Sequence, residues 1–322
     1  KVLRTESDAG EKIKIYRAPS DREEAQFVAS EIEKLIEKED RSYKDFAILY
    51  RTNAQSRIFE DTFIKRNIPY RLIGGHKFYD RKEIKDIMAY LKVLNNPDDD
   101  ISLQRIINVP KRNIGAATVD KLIQHANDIE DSLYNVMLDV DVIPTLTARN
   151  KTAINKFMEL MEGLQDLKEQ LTVSELVNAI LEDTGYIKEL ENSKEIEDES
   201  RIENLKELVS AAVDFENTSE DKSLAAFLEK TALVADVDNY DEEADSVVMM
   251  TVHSAKGLEF PVVFMVGMEN GIFPGSSSFQ NPHEMEESRR LCYVGITRAK
   301  EKLYMTSAEL RMVFGRTSAF AP

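Results

Sequence analysis

The 322-residue sequence has one cysteine, no tryptophan and four histidines. The single cysteine, Cys292, cannot form an internal disulfide, and the scattered histidines form no ligand cluster, which argues against disulfide scaffolds and zinc modules and fits a reducing compartment. No apolar run approaches the roughly 20 residues that a membrane-spanning helix needs. With 42% hydrophobic and 31% charged residues, the composition is that of a soluble globular chain long enough for two domains.

The sequence also lacks Gly-x-x-x-x-Gly-Lys-Ser/Thr, the loop whose backbone amides and lysine hold nucleotide phosphates. Its last third nevertheless carries two dense polar blocks, at Met250–Phe260 and Arg289–Lys300. They occupy strand-to-loop and helix positions, where nucleotide-binding groups commonly lie. The sequence therefore indicates one part of a nucleotide site.

Charge is distributed unevenly along the chain. The formal net charge is −17, but residues 97–245 carry −21, so the flanking residues together carry +4. Acidic runs stand near both junctions, at Asp98–Asp100 and Asp241–Glu243. This distribution suggests a domain interrupted by an acidic insertion, although such runs are equally typical of solvated linkers.

The flanking residues alternate between strand and helix patterns. Ser20 and Glu23 form a capping-box sequence at a predicted helix start, and continuous apolar runs predict buried strands. The predicted strands are 13–16, 46–50, 70–73, 247–251, 262–266 and 303–306, and predicted helices include 54–65, 83–94 and 284–299. This alternation predicts one α/β domain with a parallel sheet.

Residues 97–245 show almost no strand pattern. Apolar residues recur there at helical spacing, for example at Ile154, Phe157, Met158 and Met161, and we interpret these stripes as core packing. The sequence therefore predicts an all-helical insertion.

Several sequence blocks resemble those of a known family. They are Tyr50–Arg57 (YRTNAQSR), Gly74–Gly75 with Phe78 and Arg81–Asp86, Asn108–Gly115 (NVPKRNIG), Thr251–Phe260 and Tyr293–Ala299. In order and spacing they resemble the C-terminal motifs of UvrD/PcrA/Rep-type superfamily 1 DNA helicases, and the similarity covers essentially the whole chain.

The resemblance implies a RecA-like domain, termed 2A, that is P-loop NTPase-like but lacks the P-loop. It would comprise residues 1–96 and 246–322, interrupted at 97–245 by an all-helical accessory domain, termed 2B. The first RecA-like domain, which carries the phosphate loop and the magnesium-binding carboxylates in this family, is not in this sequence.

The resemblance also implies roles in ATP binding. Arg298 would be the arginine finger and Arg51 a second γ-phosphate contact, because a fixed guanidinium stabilises the charge that develops on the phosphoryl oxygens. Tyr50 would stack on the adenine, and Glu259 would reach the ribose or phosphate region. The alternatives are surface salt bridges for both arginines, a core position for Tyr50 and a helix N-cap for Glu259.

The block after residue 250 has a DNA-facing side in this family. By resemblance, Thr251 and His253 would contact the backbone of the single strand, and Lys256 would lie close to it. The alternatives are a neutral His253 bonded within the loop and a structural ion pair for Lys256. Contact with nucleotide and DNA on one short loop would couple the two ligands.

In the acidic insertion, Pro110–Asp120 resembles a helix-hairpin-helix, in which amides at a helix N-terminus bind a phosphate. Many relatives have Gly-Ile-Gly here, whereas this chain has Asn113 first, and asparagine tolerates a left-handed backbone. Local positive charge would come from Lys111, Arg112 and Lys121, and the alternative is a helix turn with no ligand. The expected DNA-binding positions are Lys111, Arg112, Ile114, Gly115 and Thr118.

The expected function is that of an ATP-dependent 3′–5′ DNA helicase in replication and repair, with ATP and Mg²⁺ as cofactors. Expected partners are single-stranded DNA, junctions of single and double strands, the N-terminal RecA-like domain, and replication or repair proteins at domain 2B. We expect no membrane association and a bacterial cytoplasmic location. The alternatives are a stand-alone helicase-derived module that binds DNA or a partner without catalysis, and a nuclease-linked relative of the AddA or RecB kind.

Overall fold

The computed structural model describes residues 10–193, 195–236 and 245–322. They divide into two compact units. The first contains the described parts of Lys1–Phe78 and Asp236–Pro322, and the second is Tyr79–Ala235.

The first unit is an α/β domain. Its elements before the second unit are β1 (Lys14–Ser20), α1 (Asp21–Glu39), β2 (Phe46–Tyr50), α2 (Ser56–Lys65) and β3 (Tyr70–Ile73).

The second unit is helical throughout its described residues. Its helices are α3 (Lys82–Asn95), α4 (Asp100–Ile106), α5 (Ala116–Ile129), α6 (Leu133–Leu138), α7 (Ala148–Lys168), α8 (Val173–Asp183), α9 (Tyr186–Asn192), α10 (Ile196–Thr218) and α11 (Leu224–Asp236). No described helix is both long enough and apolar enough to cross a membrane.

The first unit then resumes with the second set of strands. These elements are β4 (Val247–Thr251), β5 (Phe260–Met265), α12 (Pro282–Ile296), β6 (Ala299–Val313) and β7 (Arg316–Ala319).

The strands of the first unit form one sheet in the order β1-β6-β5-β2-β4-β3. All of these neighbours are parallel, and β7 pairs with β6 in antiparallel orientation. The predicted α/β fold with a central parallel sheet is therefore confirmed.

Two helical layers cover the sheet, and alternation along β2 shows which residues face each layer. Phe46 and Ile48 pack with residues of α1 and α2 in one buried cluster. Ala47 and Leu49 pack with Leu291 of α12 in another. α1 begins at the predicted cap, where the Ser20 hydroxyl accepts the Glu23 amide at 3.3 Å.

The final strand differs from the prediction. α12 ends at Ile296, and β6 extends over 15 residues from Ala299, whereas 284–299 was predicted as helix and only 303–306 as strand. Burial along β6 is concentrated in its middle, at residues 302–308. Its ends carry polar residues because they pair at the margins of the sheet, so they lack the apolar signal of a buried strand.

The division between the units comes earlier in the chain than the predicted junction at residue 96. The boundary precedes α3 because buried polar side chains bond this helix to the helical unit. Asp86 accepts hydrogen bonds from Arg105 at 2.8 Å and Tyr186 at 2.8 Å, and Glu83 accepts one from Asn204 at 2.7 Å. The acidic run Asp241–Glu243, predicted near the second junction, lies outside the described residues.

Candidate functional site

The connection from β4 to β5, residues 252–259, is the centre of the candidate site in the first unit. Since β2 lies between these two parallel strands, the connection crosses over β2 from the end of β4 to the beginning of β5. Val252 and Ala255 are fully buried in the cluster that includes Leu291 of α12. These contacts fix residues 252–259, called here the crossing loop, and leave its polar side chains at the surface.

Thr251 closes the turn at the start of the crossing loop. Its hydroxyl lies 3.0 Å from the Ser254 hydroxyl and accepts the Ser254 amide at 3.3 Å. Gly74, with φ of +76°, lies against this turn, and a Cβ there would be 2.9 Å from Ser254 Oγ. Thr251 therefore has a structural role, and its contact with DNA stays a prediction.

His253 and Lys256 are both exposed on the crossing loop. Desolvation lowers the pKa of His253 from its ordinary value, the positive charge of Arg51 lowers it further, and the negative charge of Glu287 on α12 opposes the shift. Arg51 and Glu287 therefore both act electrostatically on His253. A lowered pKa keeps His253 neutral at pH 7.

Arg51 follows β2 directly. Its backbone amide donates to Gln55 Oε1 at 2.9 Å, while its buried side-chain Nε has no hydrogen-bond partner among the described residues. An unpaired buried donor is unfavourable by about 1–3 kcal/mol. Arg51 therefore keeps one buried donor that no described residue satisfies.

Arg298, between α12 and β6, is held at the other end of the crossing loop. Its Nη1 donates to the Leu258 carbonyl at 2.7 Å, and its Nε donates to the Val294 carbonyl at 3.0 Å. Its Nη2 donates to the Thr297 hydroxyl at 3.0 Å. Among the described residues, neither Arg298 nor Arg51 forms an ion pair, so the salt-bridge alternative has no support.

Glu259 is exposed beside this end of the loop. The next residue, Phe260, begins β5 and donates its amide to the Arg298 carbonyl at 2.9 Å. The helix N-cap alternative for Glu259 is therefore wrong, because a strand follows it. The crossing loop has Arg51 near His253 at one end and Arg298 near Glu259 at the other, without a direct contact between the two arginines.

The ring of Tyr50 lies in the buried core of the first unit. Alternation along β2 places it with Phe46 and Ile48 in the cluster beneath α1 and α2, on the face opposite the crossing loop. Its exposed fraction is 1%. Tyr50 thus occupies the core position that we considered as the alternative, and its stacking on adenine stays a prediction.

A search of the described residues for clusters of metal-ligating side chains gave a negative result. These residues contain no group of three or more histidine, cysteine, aspartate or glutamate side chains placed to hold a metal ion. Mg²⁺ ligation is therefore not assigned to the described part of this chain.

The candidate hairpin lies in the second unit, before α5. Asn113 adopts φ of +62°, so asparagine supplies the left-handed turn residue in this chain. Asn108 Oδ1 closes the turn by accepting the amides of Arg112 at 2.7 Å and Ile114 at 3.3 Å. Gly115 follows as the N-cap of α5 and is exposed. The turn geometry expected of a hairpin is thus present.

Arg112 points into this unit, contrary to our prediction of a DNA-facing charge. Its Nη2 donates to the Tyr90 hydroxyl at 2.6 Å, and its Nη1 donates to the Ile106 carbonyl at 3.1 Å. Its guanidinium also lies 5.1 Å from the centre of the Phe157 ring. Arg112 therefore stabilises the hairpin, and its donors are bonded to other groups of the protein.

Two further predicted DNA contacts are also structural. Ile114 is 1% exposed, and the buried Thr118 hydroxyl accepts a hydrogen bond from Asn150 Nδ2 at 2.8 Å. Lys111 and Gly115 remain exposed beside the first amides of α5. Of the five positions that we predicted, only Lys111 and Gly115 are exposed to a phosphate.

Several residues of the site were missed in the sequence. Gln55, Ser254 and Glu287 have roles that depend on neighbours distant in sequence or on backbone contacts, and Gly267 follows β5 without a recognisable motif. Gln55 and Ser254 lie inside sequence blocks that resemble the family. Their place in these blocks is the signal in the sequence that could have identified them.

The comparisons with known proteins agree with this architecture. Residues 1–310 match the model of the UvrD-like helicase C-terminal domain. The chain is 48% identical over 324 residues to the ATP-dependent DNA helicase PcrA of Bacillus subtilis, covering 99% of this chain and 44% of that protein. It is 47% identical over 326 residues to the ATP-dependent DNA helicase PcrA of Staphylococcus epidermidis, covering 100% of this chain and 44% of that protein.

The chain thus spans less than half the length of these relatives, and nearly all of the chain is matched. The predicted family membership is confirmed by both comparisons. On these matches and on its α/β sheet with a helical unit, this chain belongs to the UvrD-like helicase C-terminal domain family.

Proposed function

We propose that this chain is the C-terminal part of an ATP-dependent DNA helicase that moves 3′ to 5′ on single-stranded DNA and unwinds duplexes in replication and repair. The observation that carries the proposal is the crossing loop, which is bonded at both ends next to an arginine. The Val252 amide donates to the carbonyl of Tyr50, the residue before Arg51, at 2.9 Å, and the Leu258 carbonyl accepts Arg298 Nη1 at 2.7 Å. The relatives are named ATP-dependent DNA helicases, which supports the same assignment.

In this proposal, the α/β unit corresponds to domain 2A, and the helical unit, Tyr79–Ala235, corresponds to accessory domain 2B. ATP binds between 2A and an N-terminal RecA-like domain, which supplies the phosphate loop and the Mg²⁺ ligands. The protein acts in the cytoplasm on the bacterial chromosome, and 2B meets duplex DNA and replication or repair proteins.

Arg298 acts as the arginine finger. Guanidinium carries five N–H donors, and its three hydrogen bonds within the protein use one donor each from Nε, Nη1 and Nη2. One N–H on each Nη therefore remains, so Arg298 can donate to two phosphoryl oxygens without releasing the crossing loop. Donors that are already fixed stabilise the developing charge with little reorganisation.

The crossing loop also provides the DNA contacts. Thr251, His253 and Lys256 meet the backbone of the single strand, with His253 acting as a neutral hydrogen-bonding group because its pKa is lowered. Glu259 contacts the nucleotide from the same loop. A change in the nucleotide therefore shifts the residues that hold DNA.

The hairpin before α5 supplies a second DNA contact. The first amides of a helix have no partner within the helix and favour an anion. Gly115 leaves this end of α5 open, since a Cβ at that position would meet nothing within 4 Å. We propose that these amides and the exposed Lys111 bind a backbone phosphate of duplex DNA.

The finger role of Arg298 is tested in the full-length protein. Arg298→Ala should lower ATP hydrolysis at saturating single-stranded DNA by about a thousandfold or more. The matched control is Arg289→Ala, since Arg289 is an exposed arginine of α12 that pairs with Glu286 in the same helix. If Arg298→Ala hydrolysed ATP as fast as the control, Arg298 would not be the arginine finger.

A second candidate is a stand-alone helicase-derived module that binds DNA or a partner without catalysis. The absence of a phosphate-loop sequence favours it. The coding sequence upstream of Lys1 distinguishes the two candidates, because an adjoining phosphate-loop domain identifies the motor. We expect the purified 322-residue chain to show no ATP hydrolysis, and reproducible turnover by it would contradict the division of the site.

A further inference from the structure

Gln55 bonds the backbone of Arg51 and also lies against Gly267, in the buried part of the first unit. We infer that Gln55 is a positioning residue for Arg51 and that residue 267 must be a glycine to leave room for the Gln55 amide. This inference rests on the proposed function, because it takes Arg51 as a phosphate contact.

The first step is the hold of Gln55 on the backbone. Its Oε1 accepts the amides of Arg51 at 2.9 Å and Thr52 at 3.0 Å. Gln55 ends the short 3-10 turn Asn53–Gln55, which directly follows this segment. One acceptor thus fixes two successive amides where the chain leaves β2, and it sets the direction in which the Arg51 side chain departs.

The second step is the fit of Gln55 against Gly267. A Cβ on residue 267 would lie 2.2 Å from Gln55 Nε2, and Gly267 has φ of +69°. Gln55 Nε2 is itself buried and has no hydrogen-bond partner among the described residues. Van der Waals contact with Gly267, rather than a hydrogen bond, therefore limits the position of this end of the side chain.

The third step is the rigidity of Gly267. Its amide donates to Glu24 Oε1 at 3.0 Å. Glu24 is fully buried and is also bonded by Thr306 Oγ1 at 2.6 Å and Arg311 Nη2 at 2.6 Å. Buried polar groups that are fully paired hold a single arrangement. Gln55 therefore rests against a fixed part of the core.

These contacts bear on the reaction through Arg51. Displacement of a binding or catalytic group by 1 Å can lower a rate by about a hundredfold. Since the Arg51 side chain extends from the backbone that Gln55 holds, loss of the Oε1 acceptor should displace the guanidinium without removing it. Gln55 would then act on turnover without touching the nucleotide.

The test uses the full-length protein and compares three single variants. Gln55→Leu keeps the approximate volume and removes the acceptor, so kcat for DNA-stimulated ATP hydrolysis should fall about tenfold to a hundredfold. Gln55→Glu keeps an acceptor for both amides, so its kcat should exceed that of Gln55→Leu, although its second carboxylate oxygen is costly to bury at the Nε2 position. Gly267→Ala should lower kcat like Gln55→Leu, because its Cβ displaces the amide.

The decisive measurement is a double-mutant cycle between positions 51 and 55. If Gln55 acts through Arg51, then Gln55→Leu causes no further loss of kcat in the Arg51→Ala background. Multiplying losses would show a general structural role and would overturn the inference. Full activity of Gln55→Leu, with Arg51→Ala impaired, would also overturn it while leaving the proposed function intact.

Full activity of Arg51→Ala would remove the phosphate contact from the proposed function and the inference with it. Gln26→Ala is the matched control, because Gln26 is an exposed glutamine of α1. Melting curves of every variant establish that it is folded. Should Gln55→Leu fail to fold, Gly267→Ala takes its place in the cycle with Arg51→Ala.

Discussion

The Nη1 of Arg298 donates a 2.7 Å hydrogen bond to the Leu258 carbonyl, one residue before Glu259. The Phe260 amide returns a bond of 2.9 Å to the Arg298 carbonyl. The end of α12 and the crossing loop are therefore joined through both the side chain and the backbone of one residue. Displacement of the Arg298 side chain should be felt in the loop that carries His253.

We predict that Arg298→Ala loosens the crossing loop in the 322-residue chain. The variant loses the side-chain bond to Leu258 but keeps the backbone bond from Phe260. Amides within residues 252–259 should exchange with solvent deuterium faster, while those of β5 keep their rates. Arg289→Ala serves as the control, and equal exchange in both variants would argue against this side-chain link.

A second prediction separates two neighbouring basic residues of the hairpin. Arg112→Ala should lower the free energy of unfolding of the helical unit by about 2 kcal/mol or more, because charged hydrogen bonds to Tyr90 and to two carbonyls are lost. Lys111→Ala should change stability by less than about 0.5 kcal/mol, because the residue is exposed. Chemical denaturation followed by circular dichroism measures both.

The same pair should differ in DNA binding. Lys111→Ala in the full-length protein should weaken binding to duplex-containing DNA and reduce the dependence of log K on log salt by about one. An unchanged salt slope would exclude Lys111 as a phosphate contact. A loss of stability in Lys111→Ala as large as in Arg112→Ala would contradict the different orientations of the two side chains.

Much of the fold could be predicted from the sequence because its central strands are continuously apolar. The bounds of β2, β3 and β4 agree with the prediction. For β2 and β4 the reason is that buried parallel strands give an uninterrupted apolar signal. The extent of β6 and the existence of β7 could not be predicted. Their polar ends pair through backbone groups, and side-chain periodicity does not report that pairing.

The candidate site could be predicted in its residues but not in the direction of their side chains. The order of the blocks identified Arg51 and Arg298, which lie at the two ends of the crossing loop. Tyr50 and Arg112 point into the core, because strand alternation and the partners Tyr90 and Phe157 decide their orientation. A motif gives residue types, whereas burial is decided by neighbours from distant parts of the chain.

A third prediction concerns the titration of His253. The imidazole should titrate below 6.5, because desolvation and Arg51 disfavour its protonated form. Arg51→Ala should raise the pKa by removing a positive charge, and Glu287→Gln should lower it by removing a negative one. An NMR titration of the imidazole in the 322-residue chain measures all three, and a pKa unaffected by Arg51→Ala would contradict the proximity of the two residues.

A fourth prediction concerns the buried cluster of Glu24, Glu269 and Arg311. Arg311 Nη2 lies 2.6 Å from Glu24 and 2.7 Å from Glu269, and burial raises the pKa of Glu269. Arg311→Met leaves two buried carboxylates without their cation, which should cost about 3–5 kcal/mol of stability near neutral pH.

The pH dependence of Arg311→Met distinguishes charge from packing. Without the cation, the pKa of Glu269 should rise further above its ordinary value of 4.5. An acid whose pKa is higher in the folded state favours folding while it is protonated, so this stabilisation is lost as pH rises from 4.5 through the raised value. The deficit relative to the unmodified chain, measured by denaturation, should therefore be smaller at pH 5 than at pH 7.5. Combining Arg311→Met with Glu24→Gln and Glu269→Gln should restore much of the stability at pH 7.5, whereas a deficit equal at both pH values would assign the loss to packing.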